Sequence, residues 1–313
     1  MTFVPEVDQK PVNRGLFGDV FESFRELRHD IRPMARYWLE TEAHVHAMAI
    51  AGYVLLSFYP FMLVVIALCR DVIGSVEAEQ ALYVAIRDYF PGETGDFLAR
   101  NLRFSAMANR NLEWVSVLLL LFTANGVFIP LEVALNRAWG VTVNRSLVMN
   151  QLVSISLIFT CGGLALLSAA LTGAGGALWS ALFGPTAAAP GVFLTGLFKL
   201  ASVPITIFVL FLIYWLLPNT KVPARAILPR AVVIGLALEA LKWVNLLIWP
   251  WLYSKFQREY GVFVNSVTIL TWSSLAALAV LGGADWSARR VRLAQQEANR
   301  DRMGAETLPP TQV

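Results

Sequence analysis

Residues 228–251 read LPRAVVIGLALEALKWVNLLIWPW, and this stretch decides the fold. Roughly 20 helical residues at about 1.5 Å each cross the hydrocarbon core of a bilayer, so the segment is long enough to do so. Two charges interrupt it, Glu239 and Lys242. Counted from Leu228, Glu239 lies about 16 Å along the helix, close to mid-bilayer. Gly235, Glu239, Lys242 and Asn245 recur at helical spacing and share one face. Lipid penalises an exposed face of that kind by several kcal/mol. The face must turn toward other helices or toward a water-filled cavity. The pair itself admits two readings: a polar contact for a lipid headgroup, ion or proton, or a self-neutralising clasp between helices.

The same composition extends along the chain. Hydrophobic residues make up 57% of the 313 residues and charged residues 15%, a balance that belongs to a multi-spanning membrane protein. Apolar blocks at about 46–69, 114–130, 152–172, 197–217, 228–251 and 262–284 predict an all-α bundle of six transmembrane helices within residues 41–288. Residues 1–40 and 289–313 form polar tails. Pro60 and Pro204 predict kinks in the first and fourth spans, because proline cannot donate to the helical ladder. At Pro60 the freed carbonyl is that of Leu56, and Ser57, one turn earlier, stands where it can help satisfy freed backbone groups. Ala165, Ala169 and Gly173 form a small-residue ridge on the third span. Gly173 to Gly191 reads as a loop, and Lys199 snorkels to the interface at the start of the fourth span.

Residues 70–113 are too polar to cross. Leu82, Ile86, Tyr89 and Phe90, then Phe97, Leu98 and Leu102, still recur at helical spacing. Two short helices broken at Pro91-Gly92 are predicted, capping the bundle on its extracytoplasmic side. From Leu16, the residues Phe17, Val20, Phe21, Phe24, Leu27 and Ile31 predict an amphipathic helix, with Arg25, Arg28, Arg32 and Arg36 on other positions. It lies in the membrane surface with its arginines near lipid phosphates, or packs on the protein's own cytoplasmic end.

Charge sets the orientation. With both termini on one side, that side carries 16 of the 25 Lys and Arg and the other carries 7. The excess predicts cytoplasmic termini by the positive-inside rule. The polar N-terminal residues lack an early apolar run, so no cleaved secretory signal is expected. A net charge of +3 is small for a nucleic-acid binder, and the basic residues sit at membrane boundaries. Cys69 and Cys161 lie in apolar blocks and read as small buried hydrophobes. His44 and His46 form an H-x-H, but the chain has 3 histidines and no nearby carboxylate pattern, so no metal site and no cofactor are expected. No nucleophile–base constellation argues for an enzyme.

Several motifs together resemble one family. Ala49–Leu68, AIAGYVLLSFYPFMLVVIAL, resembles the first span of the YihY/virulence factor BrkB family of bacterial inner-membrane proteins. GVFIPLEVALNRAWGV, residues 126–141, resembles its G-V-x-x-L-x-x-A-L-N-R-x-W-G-V segment. LLPNTKVPARAILP, residues 216–229, resembles its Y-L-P-N-x-x-V-P-W-R-x-A-L-P-G loop, and Glu239 to Lys242 matches a following W-E-x-x-K pattern. The chain departs from these patterns at Gly52, Pro130, Ala224 and Arg230, and Pro130 bears on where the second span ends. The resemblance implies six transmembrane helices in the cytoplasmic membrane and a link to export of envelope lipid or lipopolysaccharide. The family's former ribonuclease label is regarded as mistaken, and nothing in this sequence supports it.

A second group of candidates lies at the cytoplasmic boundary. Asn136, Arg137 and Trp139 follow the second span, and Arg225 and Arg230 lie in the next cytoplasmic loop. Arg137 and Arg225 suit lipid phosphates, and Trp139 suits headgroup depth. The alternative reading is a set of topology determinants and interface anchors. The expected function is a transporter-like or flippase-like protein handling envelope lipid or a lipid-linked precursor, with a non-transporting scaffold or assembly factor as the alternative. Expected partners are membrane lipids with anionic headgroups, a second copy of the chain or other membrane proteins, and no nucleic acid.

Overall fold

The computed structural model describes residues 16–74, 76–90, 92–108, 110–141, 146, 149, 151–160, 163–164, 202–220 and 222–306. Among these the chain is all helical. We number the helices α1 (Leu16–Glu40), α2 (Ala43–Ala67), α3 (Val76–Tyr89), α4 (Glu93–Ala108), α5 (Arg110–Ala138), α6 (Gln151–Thr160), α7 (Ser202–Leu216), α8 (Ala224–Tyr260) and α9 (Val264–Glu306). A π-helical turn, Leu68–Ile73, ends α2, and a 3₁₀ turn, Gly261–Phe263, joins α8 to α9.

Contacts fix the direction of most of the rods. Tyr53 of α2 covers Gly126 of α5, and Arg137 at the end of α5 reaches Thr41 just before α2, so these two run antiparallel. Ile207 faces Gly235 and Thr206 faces Glu239, which makes α7 and α8 antiparallel. Ile234 faces Gly283 and Arg230 lies over Trp286, so α8 and α9 form a hairpin that turns at Gly261. Gly261 adopts φ 52°, a backbone that side chains rarely accept. The ends of α5, α7 and α9 therefore lie together beside α1, at one end of the bundle.

One apolar core holds these rods. Ile50 of α2, Leu131 and Leu135 of α5, Leu157 of α6, Leu210 and Tyr214 of α7, Ile227 and Ile234 of α8, and Leu281 and Trp286 of α9 all belong to it. α9 makes a close crossing at Gly282-Gly283. A Cβ at Gly282 would meet Trp38 Nε1 of α1 at 2.9 Å, and one at Gly283 would meet Ile234 Cγ1 at 2.5 Å and the Tyr214 hydroxyl at 2.6 Å. Without those carbons the nearby backbone is open as an acceptor. Tyr214 donates to the Val280 carbonyl at 2.7 Å and Trp38 donates to that of Leu278 at 3.1 Å. A second cluster, with Ile66 and Cys69 at the end of α2, Leu82 and Ile86 of α3 and Leu98 and Leu102 of α4, seats the expected helical cap on the opposite end. Its two helices part at Gly92, φ 72°. Burial, together with Glu79, pushes the Tyr83 phenol in this cap up to about 12.

The outer surface is apolar. Leu247 is 81% exposed and Phe122 75%, with Trp243 and Leu118 also outward. Such a surface suits acyl chains rather than water. Two helical runs among the described residues, Ala43–Asp71 and Ala224–Glu297, are long and apolar enough to cross a membrane, and the second comprises both α8 and α9. Gln151–Thr160 and Val203–Leu216 are shorter apolar helices. The expected count of six spans is thus not established by these helices. Much of the third span, the Ala165–Gly173 ridge, the Gly173–Gly191 loop and Lys199 lie outside the described residues.

Some local expectations need correction. α5 runs through Pro130 to Ala138, so the helix that holds the second apolar block reaches the glycine stop of the LEVALNRAWGV segment. It then stops at Gly140, φ 70°, where Gly140 N–H donates to the Arg137 carbonyl and Val141 N–H to that of Asn136. This pair of bonds is a Schellman cap, which satisfies carbonyls left open at a helix end. α2 is helical through Pro60, and Ser57 donates to the carbonyl of Val54 at 3.2 Å. Pro204 falls in the first turn of α7 as described, where its missing N–H interrupts no bond within that helix. For α1 the structure shows packing on the protein's own end. Ser23, Glu26, Asp30 and Trp38 face the bundle, whereas Phe21 and Ile31, assigned to the apolar face, are exposed at 76% and 52%.

Candidate functional site

Glu239 and Lys242 form an ion pair of 2.5 Å on α8, three residues apart on one face. Their side chains are 12% and 21% exposed. Thr206 of α7 donates its hydroxyl to Glu239 Oε1 at 3.3 Å. The approach of α7 depends on Gly235, one turn before Glu239: a Cβ there would lie 2.7 Å from Ile207 Cγ1. Asn245 and Trp249 continue the same face and are buried. A carboxylate and an ammonium in apolar surroundings neutralise one another, and the hydroxyl supplies a further hydrogen bond. The arrangement is an inward polar strip on an otherwise apolar rod.

The boundary candidates divide. Asn136 is 2% exposed, and its Oδ1 accepts the backbone N–H of Asn219 at 2.7 Å, fastening the end of α5 to the turn after α7. Trp139 packs against the core, and its Nε1 is buried without a hydrogen-bond partner among the described residues. Arg137 is exposed, with Nη1 at 3.5 Å from the Thr41 carbonyl. Arg225 is exposed in the first turn of α8. The structure does not bring these residues to the Glu239–Lys242 pair; they occupy the end of the bundle beside α1.

At that end Arg230, a candidate for lipid phosphate, instead belongs to a cluster whose other members sequence reasoning missed. Arg230 of α8 donates to Glu26 of α1 at 3.1 Å and stacks 5.9 Å from the Trp286 ring. Asp30 Oδ2 accepts from Trp286 Nε1 at 2.9 Å and from Arg290 Nε at 2.7 Å. Arg292 donates to the Ala138 carbonyl at 2.6 Å, tying α9 to the end of α5. Burial, with Asp285 nearby, pushes the Tyr37 phenol of α1 up. The available signal was Glu26 and Asp30, one turn apart on α1, yet nothing local shows that their partners lie more than 200 residues away. Glu132, buried at 3% one turn before Asn136, was also passed over. Among the described residues no group of three or more His, Cys, Asp and Glu side chains could hold a metal.

The family model described as Virulence factor BrkB matches residues 34–307. The chain belongs to the virulence factor BrkB family. It is similar to a UPF0761 membrane protein of Pseudomonas aeruginosa strain LESB58, 26% identical over 268 residues that cover 84% of this chain and 63% of the relative. A UPF0761 membrane protein of Chromohalobacter salexigens is 29% identical over 246 residues, covering 77% of this chain and 58% of that one. This BrkB-family chain thus spans less than two thirds of the length of these relatives. No solved structure matches it at a significant level. The BrkB-family assignment, the relatives' names and the apolar outer surface agree that this is a membrane protein.

Proposed function

We propose that this BrkB-family protein is a multi-pass protein of the bacterial inner membrane, with six spans and both termini cytoplasmic, that handles envelope lipid or a lipid-linked precursor as a transporter or flippase. The observation that carries the reading is the Glu239–Lys242 pair, a charged couple held inside an apolar helix face and shared with α7 through Thr206. Ionisable groups at such depth are costly and mark pathways for polar cargo. Positive charge at the α1 end supports a second lipid contact. Arg25, Arg28, Arg32 and Arg36 of α1 are exposed, as are Arg137 and Arg225, and together they suit an anionic leaflet.

Reconstitution into vesicles and a lipid-scrambling assay test the reading. Glu239→Gln is expected to abolish most of the movement while leaving yield and thermal stability of the purified protein near wild type. Loss of folded protein in step with activity would favour the second reading, a non-transporting scaffold or assembly factor. The closed geometry of the pair, with Thr206 completing it, is the observation on that side.

A further inference from the structure

Where α4 of the cap meets the α8–α9 turn, the protein holds an open cleft of about 500 Å³. It lies at the end of the bundle opposite α1. From Arg230 to Gln257 the rise along α8 is about 40 Å, close to the full thickness of a bilayer with its headgroup layers. The cleft therefore stands at headgroup depth on the far face, well away from Glu239.

The charges lining it are arranged in a particular way. Glu93, Asp96 and Arg100 follow one another along one side of α4. Asp96 is already neutralised by Arg87 at 2.8 Å. Glu93 and Arg100 form no ion pair with any described residue, so the wall presents one negative and one positive charge. Tyr253 donates to Glu93 Oε2 at 2.7 Å, which fixes that carboxylate and leaves its other oxygen for a donor. At the rim Val262 is 89% exposed and Phe97 42%, giving an apolar shoulder beside the charges.

Glu93 and Arg100 stand about 10 Å apart by helical rise, so a ligand matching this wall carries a cation with N–H donors, an anion at the next position along the same headgroup, and an apolar tail. From this we infer that the cleft binds the headgroup of a phosphoethanolamine lipid, its ammonium on Glu93, its phosphate on Arg100, and its acyl chains leaving over Val262. Choline lipids carry the same charges but their ammonium has no hydrogen to donate. Glycerol-headgroup lipids lack the cation altogether. The inference rests on the reading that the protein handles lipid, but it uses different residues at a different depth.

Native mass spectrometry of the full chain in detergent, titrated in turn with phosphatidylethanolamine, phosphatidylcholine and phosphatidylglycerol, tests it. Phosphatidylethanolamine is expected to bind about tenfold more tightly than either competitor, the worth of one charge-assisted hydrogen bond. Glu93→Gln should reduce it to the phosphatidylcholine level, and Arg100→Gln should weaken both zwitterionic lipids. An arm without variants uses the wild-type chain: free phosphoethanolamine should displace the bound lipid, whereas phosphocholine and glycerol phosphate should not. Equal retention of phosphatidylglycerol, or a preference untouched by both substitutions, overturns the assignment. Lipid movement is read separately in the scrambling assay, so loss of the phosphatidylethanolamine preference with movement intact, or the reverse, makes the two readings fail separately.

Discussion

Gly126 lies beneath the ring of Tyr53, where α5 crosses α2, and an added methyl group there would overlap the ring. The helices can approach only because one side chain is absent and the other is flat. Gly126→Ala is expected to lower the thermal midpoint, and to cost less when Tyr53→Ala has already removed the obstacle. A double-mutant cycle followed by thermal unfolding should return a coupling of about 1 kcal/mol or more, as touching residues do. Strict additivity would mean that the contact does not limit the approach. The Glu239–Lys242 pair shows what was legible at this scale. A spacing of three on a helix is a local rule, so the pairing and the inward face could be read from the letters. Thr206 could not, because its distance from Glu239 is set by how α7 and α8 pack rather than by any pattern within either segment. Asn136 illustrates the opposite error: its boundary position suggested a lipid contact, while its buried amide oxygen serves the Asn219 backbone.

For whole elements, α1 offers the sharpest test. It is held by Glu26 and Asp30 against Arg230, Trp286 and Arg290, all partly shielded from water. Removing one partner of a shielded charge cluster costs more than the pair contributes, since the remaining charge keeps its desolvation penalty. Asp30→Asn is therefore expected to loosen α1 by about 2 kcal/mol. Hydrogen exchange should show faster exchange across Leu16–Glu40 while α8 and α9 stay protected; unchanged exchange in α1 would mean that Trp38 and the apolar contacts suffice. The helical period of α1 was readable from the sequence, but its docking face was not. The apolar residues that make it amphipathic and the acidic residues that anchor it lie on different sides, and only the partner surface decides between them. Pro60 and Pro130 each cost a ladder bond locally, and α2 and α5 are helical through them.

Across the whole molecule, helix directions are the strongest constraint. α1 sits with the ends of α5, α7 and α9, so the N-terminal helix and the end of the core's last helix share one face of the bundle. A reporter that is active only in the cytoplasm, fused after Val313, is expected to be active, and one inserted after Gly92 in the cap is expected to be silent. The reverse pattern would invert the proposed orientation. Bundle class was legible because block length and apolar character are properties of single segments. The way the rods lean on one another was not, since it depends on bare backbone at Gly126, Gly235 and Gly282-Gly283. The three-residue turn Gly261–Phe263 carries one more implication. So short a joint, with the rods seated together along Ile234–Gly283 and Arg230–Trp286, denies α8 and α9 any independent sliding. Should cargo pass through this protein, α8 and α9 must travel together, as a single stiff paddle.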